Sequence, residues 1–156
     1  SKILFPGIRI GWVLADETLI SYLESIKRAR TIHTSVLDQA VLFEYLSSGY
    51  FEKYLKRARR VYKRKYEIAY ACAKKYIPAK NILGEGGLHI FVELDGIDAR
   101  LVLDKCIEKK VIFTPGDIFY TDEKGFNTLR LGFSRVSNFD IEKGFKIIGD
   151  TVRSLS

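Results

Sequence analysis

Methionine is absent from this chain, and cysteine, histidine and proline are scarce, at two, two and three among 156 residues. Each shortage excludes something. Cys72 and Cys106 stand alone, outside any CxxC spacing, so neither a disulfide framework nor a zinc knuckle is on offer. Two buried thiols of a reducing, cytoplasmic compartment are the reading that remains. Neither His33 nor His89 has cysteine or carboxylate spacing around it, which leaves no metal site. No apolar run approaches the roughly eighteen residues of a spanning helix, and no basic-then-apolar leader is present, so no membrane partner is expected. Walker, GxGxxG and nucleophile-elbow motifs are missing too. The lack of methionine, with an opening of SKILFPG, reads as a piece taken from a longer protein.

What is present suffices for one domain with a core: 47% apolar and 29% charged residues, an ordinary globular balance. The net charge of +7 is concentrated, because Lys53 to Lys65 carries eight basic residues and no acidic one. Nucleic-acid binding therefore has to rest on this one segment. The alternative is a solvated face of a long helix.

Periodicity divides the chain into two rhythms. After the Pro6-Gly7 turn, alternation predicts a strand over Ile8 to Leu14, with Ile8, Ile10 and Trp12 on one side. Asp16 is a suitable N-cap for a helix to Arg30 that buries Leu19, Ile20, Leu23 and Ile26. The β-branched stretch around His33 interrupts it. Ser35 and Asp38 open a second helix, which Gly49 stops. A third helix runs from Tyr50 to Tyr76 with an apolar stripe of Phe51, Leu55, Ala58, Tyr62, Ala69, Cys72 and Ala73, and Pro78 ends it.

The second half alternates strands and helices. Leu88 to Leu94 reads as a strand after the Gly86-Gly87 turn, with Leu88, Ile90, Val92 and Leu94 opposite His89, Phe91 and Glu93. Asp98 starts a helix carrying Leu101, Val102, Leu103 and Ile107. VIFTPG is a short strand, FYTDEKGFNT a loop, and LRLGFSR another strand. A last helix covers residues 139–155, with Ile141, Phe145, Ile148 and Val152 inward. The expected class is α/β, a small sheet covered by helices, with a helical arm before it.

Few residues are candidates for chemistry. Arg130 shares a strand face with Gly132 and Ser134, opposite Leu129, Leu131 and Phe133. A guanidinium beside glycine is open enough to grip a planar anion in its fork; a solvated surface arginine is the plainer alternative. Arg9, beside Gly11, poses the same choice. Lys2 matters only for its primary amine, the group that condenses with an aldehyde cofactor. Gly87 marks a turn or a close backbone approach. His89 faces away from the aliphatic side, as a substrate contact or a structural histidine.

Taken in order, SK followed by PGIRIGW, then LDQAVLFEYLSSGYFEKYLKRARRVYKRKYE, EGGLHIFVEL, VIFTPGDIFY and NTLRLGFS resemble the C-terminal part of a fold-type-I pyridoxal-phosphate enzyme. The similarity extends to the aminotransferase-like domain of MocR-type regulators of the GntR superfamily and to stand-alone aminoadipate- or kynurenine-type aminotransferases. Leucine-histidine after the double glycine favours the regulator branch. Tyr50 and Tyr54 stand where that branch often has histidines.

The resemblance implies the small domain of that fold, a mostly antiparallel sheet under helices with a long N-terminal helical arm. Residues 1–30 would be a remnant of the large cofactor domain and interdomain helix, and 31–156 the small domain. It implies Lys2 as the catalytic Schiff-base lysine, Arg9 on the pyridoxal 5'-phosphate phosphate, and Arg130 on the α-carboxylate of an amino acid. Gly87 and His89 are possible substrate-side residues. A homodimeric full-length protein is implied, with DNA bound only through an N-terminal winged helix absent here. Since ring and further phosphate partners come from the preceding domain, the isolated chain is expected to bind the cofactor weakly or not at all.

Overall fold

The computed structural model describes residues 4, 6–122 and 124–156. By its internal contacts the chain divides into two compact units, Ser1–Ala58 and Arg59–Ser156.

In the first unit the expected strand over Ile8 to Leu14 does not form. A single 3-10 turn, Pro6–Ile8, leads into irregular chain as far as Asp16. A strand needs a neighbour to take its backbone hydrogen bonds, and alternation alone does not supply one. Trp12 is 86% exposed. Helix α1 (Glu17–Thr31) begins as expected, with Asp16 accepting from the Leu19 N–H at 3.0 Å. None of its residues is buried, so the inward assignment of Leu19, Ile20, Leu23 and Ile26 is corrected. Ile32 then takes φ 59°, a left-handed conformation costly for a β-branched residue, and ends the helix. Helix α2 (Val36–Ser47) is capped by Ser35 and stops before Gly49 at φ 71°.

Helix α3 (Tyr50–Tyr76) has the expected limits, and at about 1.5 Å per residue it is roughly 40 Å long. Ala69, Cys72 and Ala73 are buried on its last turns, while Phe51, Leu55, Ala58 and Tyr62 are half-buried.

The second unit holds the core. Strands β1 (Ala79–Leu83), β2 (His89–Leu94), β3 (Thr114–Pro115) and β4 (Thr128–Gly132) form one antiparallel sheet in the order β1-β2-β4-β3. β1 was not foreseen: AKNIL shows no clean alternation, and its pairing with β2 makes it a strand. Ile90, Val92 and Leu94 face the core with Leu129, Leu131 and Phe133. Helix α4 (Ala99–Glu108) starts at Asp98 as expected but buries Ala99, Val102 and Cys106. Of the apolar residues it carries, Leu101 and Ile107 are 55% and 49% exposed. Helix α5 (Asn138–Arg153) buries Ile141, Phe145, Ile148 and Val152. A Cβ on its Gly149 would collide with the Tyr76 carbonyl, so glycine permits the close crossing of α5 over the end of α3.

Both cysteines are free and buried, and desolvation is the main cause raising each thiol above its usual pKa. No helix among the described residues is long and apolar enough to cross a membrane, and no group of three or more metal-ligating side chains occurs among them.

Candidate functional site

The strand alternation that sends Leu129 and Leu131 into the core sends Arg130 to the opposite face. There it is the register partner of Phe91 on β2 and of Thr114 on β3. The Pro115-Gly116 turn leads into a 3-10 turn, Asp117–Phe119, which swings Phe119 back over the sheet. The Arg130 Cζ lies 4.7 Å from the Phe119 ring centroid, a cation–π stack, and the Phe119 and Phe91 rings meet edge-on at 6.3 Å.

Hydrogen bonding leaves this guanidinium incomplete. Nη2 donates to Thr114 Oγ1 at 3.4 Å, while Nε is buried without a partner. Arg130 has no ion pair among the described residues. The carboxylate on the same turn as Phe119 is committed elsewhere: Asp117 accepts from Arg100 Nε at 2.6 Å and from the Ile118 N–H at 3.0 Å. That bond raises the Arg100 pKa. A buried N–H without an acceptor costs about 1–3 kcal/mol, so the fork is suited to an oxyanion arriving from outside. The plainer reading of Arg130 as a solvated surface arginine does not fit its half-buried, ring-stacked position.

Close packing fixes the surroundings. A Cβ on Gly116 would overlap the Thr128 side chain and reach Phe91, and the Gly116 N–H donates to the Thr128 carbonyl at 2.6 Å. Gly132, next on the same face, lies under the His89 ring, its register partner. His89 is therefore on the Arg130 face of the sheet, exposed. Gly87 takes φ 82° in the turn before β2, the left-handed turn conformation glycine tolerates.

Arg9 belongs to the other unit. It is exposed, has no ion pair among the described residues, and takes φ 48°. A non-glycine residue there carries backbone strain of the kind that recurs at ligand sites. Lys2 lies outside the described residues. Phe91, Thr114 and Phe119 escaped the sequence reading as neighbours of Arg130. Phe91's place opposite the aliphatic face was the one available signal.

Comparison with known proteins identifies the family. Residues 2–148 match the model of class I and II aminotransferases, and the chain belongs to that family. An uncharacterized aminotransferase of Saccharolobus solfataricus is 36% identical over 98% of this chain and 39% of its own length. The kynurenine aminotransferase of Pyrococcus horikoshii, solved with PMP and kynurenine, superposes with a TM-score of 0.91 at 35% identity, over 99% of this chain and 39% of that one. An uncharacterized HTH-type regulator of Bacillus subtilis is 30% identical over all of this chain and 33% of its own length.

The chain thus spans about two-fifths or less of the relatives it matches. It is homologous both to stand-alone aminotransferases and to HTH-type regulators, with the higher identities to the former. The expectation of a regulator is corrected to that extent. Family membership implies pyridoxal phosphate as the cofactor of the full-length protein.

Proposed function

We propose that the full-length protein containing this chain is a stand-alone, pyridoxal-phosphate-dependent aminotransferase, and that Arg130 holds the α-carboxylate of its amino-acid substrate. The observation carrying this reading is the half-buried Arg130 guanidinium, whose Nε has no partner and which pairs with no carboxylate among the described residues. A substrate carboxylate would complete it through two charge-assisted hydrogen bonds. Thr114 and Phe119 orient the fork from the side and from above.

The donor set fits the cofactor: Arg9 offers a phosphate an exposed guanidinium without an ion pair among the described residues, and Lys2 supplies a primary amine seven residues earlier in the sequence. When bound, the cofactor supplies the electron sink for negative charge developing at the substrate Cα. In this reading Lys2 anchors the cofactor and moves the Cα proton as general base and acid. Arg9 neutralises the phosphate. Residues 1–30 then belong with the large domain and 31–156 with the small domain, and the full-length protein is a homodimer whose subunits complete each other's sites.

The test is amino-group transfer from an amino acid to a 2-oxo acid by the full-length protein. Arg130→Leu removes two charge-assisted hydrogen bonds, about 3 kcal/mol, and lowers kcat/KM about 100-fold or more, while Arg130→Lys recovers part of the loss. Transfer that Arg130→Leu leaves within twofold sinks the assignment.

A further inference from the structure

In the second unit a cavity of about 470 Å³ opens where Leu131 and Gly132 carry β4 beyond its pairing with β3. Arg130 is not among its lining residues, and its volume lies in the range of small-ligand sites. The floor is apolar, with Leu131, Ile141, Phe145 and Ile148 all buried. Ile112, 79% exposed, lines it at the surface.

The charge in the lining is unbalanced. Lys109, Lys110, Arg135 and Lys143 line the cavity beside a single carboxylate, Asp140. Ser137 Oγ donates to that carboxylate at 2.6 Å, and Lys109 Nζ donates to Thr151 Oγ1 at 3.1 Å. Lys110, Arg135 and Lys143 have neither an ion pair nor a side-chain hydrogen bond among the described residues.

The backbone holds two of these cations in place. Lys65 Nζ donates to the Ser134 carbonyl at 2.9 Å and the Val136 carbonyl at 2.6 Å, so the loop is fixed on either side of Arg135. Lys110 follows the last turn of α4 at φ 62°. Its N–H donates to the Ile107 carbonyl, and the Val111 N–H donates to the Cys106 carbonyl. Glycine is the usual residue at such a helix ending. Lysine there accepts a costlier backbone and brings an ammonium to the cavity.

Gly144 points the same way. It lies inside α5, where glycine is less favourable than alanine. Gly149 has a packing reason, since its Cβ would strike the Tyr76 carbonyl, but a Cβ on Gly144 would meet nothing within 4 Å among the described residues. Glycine here leaves helix backbone bare on the cavity wall, open to close approach by a ligand.

We infer that this cavity is a second ligand site, separate from the Arg130 fork, and that it takes a phosphate monoester carrying an apolar group. Such an ester brings about two negative charges and three acceptor oxygens near neutral pH, which suits the unpaired Lys110, Arg135 and Lys143. A carboxylate brings one charge. The apolar group would lie on Ile112, Leu131 and the bare backbone at Gly144.

The test is calorimetric titration of the full-length protein saturated with pyridoxal phosphate, which keeps the probes off the cofactor's own phosphate site. Hexyl phosphate is expected to bind saturably, and inorganic phosphate and hexanoate each about tenfold more weakly or worse. Two variants remove the site and spare the fold. Lys110→Gly deletes an ammonium and suits φ 62°, and Gly144→Leu favours the helix while filling the cavity. Each should leave the thermal midpoint no lower and weaken hexyl phosphate about tenfold or more. Arg130→Leu should leave that affinity within twofold. Affinity that either cavity variant leaves within twofold overturns the assignment, as does its loss in Arg130→Leu. Inorganic phosphate or hexanoate binding as tightly as hexyl phosphate overturns the ligand class, and absence of saturable binding overturns the site. None of these readings depends on amino-group transfer.

Discussion

Helices α1 and α5 are nearly equal in length, at 15 and 16 residues. Each opens on a side-chain cap, Asp16 accepting from the Leu19 N–H and Ser137 from the Asp140 N–H. Each also carries an apolar stripe. Yet α1 buries none of its residues, while α5 buries Ile141, Phe145, Ile148 and Val152 with others. The same local code thus yields a helix in both units and a core in one. Caps and periodicity decide that a segment coils, whereas burial depends on an opposing surface. In the second unit the sheet is that surface. We expect the stripe of α1 to be covered by other parts of the full-length protein.

The largest expected effect tests this difference directly. Phe133, wholly buried, should cost about 3–5 kcal/mol on change to alanine. Leu23→Ala in α1 should stay within about 0.5 kcal/mol, as for an exposed position. Denaturant titration followed by far-ultraviolet circular dichroism compares them. Similar losses would mean that α1 is packed as tightly as the sheet.

A smaller effect lies in the caps. Ser137→Ala removes the α5 cap and should cost about 1 kcal/mol of global stability. Asp16→Ala should lower helix content in α1 and leave the main unfolding midpoint unchanged. Amide exchange resolves the two, with loss confined to residues 17–31 in the second variant.

The smallest effect is acid sensitivity at the sheet edge. Hydrogen bonding to Lys80 and then Asn81 holds the Glu93 carboxyl below its usual pKa. A depressed carboxylate contributes stability above its unfolded pKa, and that contribution is lost as pH falls through the lower folded value. Glu93→Gln should therefore flatten the acid limb of the stability profile slightly, with no change near neutrality. An unchanged limb would show the Lys80–Glu93 pair to be inert.

The outer-face position of Arg130 was legible because Leu129, Leu131 and Phe133 alternate with it. Its stack on Phe119 and the missing partner of Nε were not, since those depend on a turn eleven residues away and on where Arg100 draws Asp117. The strand expected over Ile8 to Leu14 failed for the complementary reason. Its pattern was right for a strand, and none of the described residues pairs with it. β1, with a poor pattern, became a strand because β2 was beside it.

By itself the sequence determined where helices begin and end: Asp16, Ser35, Gly49, Pro78, Asp98 and Ser137 act on backbone groups within a turn of themselves. It also determined which strand residues share a face, because that period is built into the extended backbone. Only the tertiary structure decided which apolar stripes are buried and which segments pair. It alone left one arginine on the sheet with an N–H that no described neighbour accepts. Those outcomes depend on groups brought together from distant parts of the chain, whose meeting is a property of the whole packing and of no local pattern.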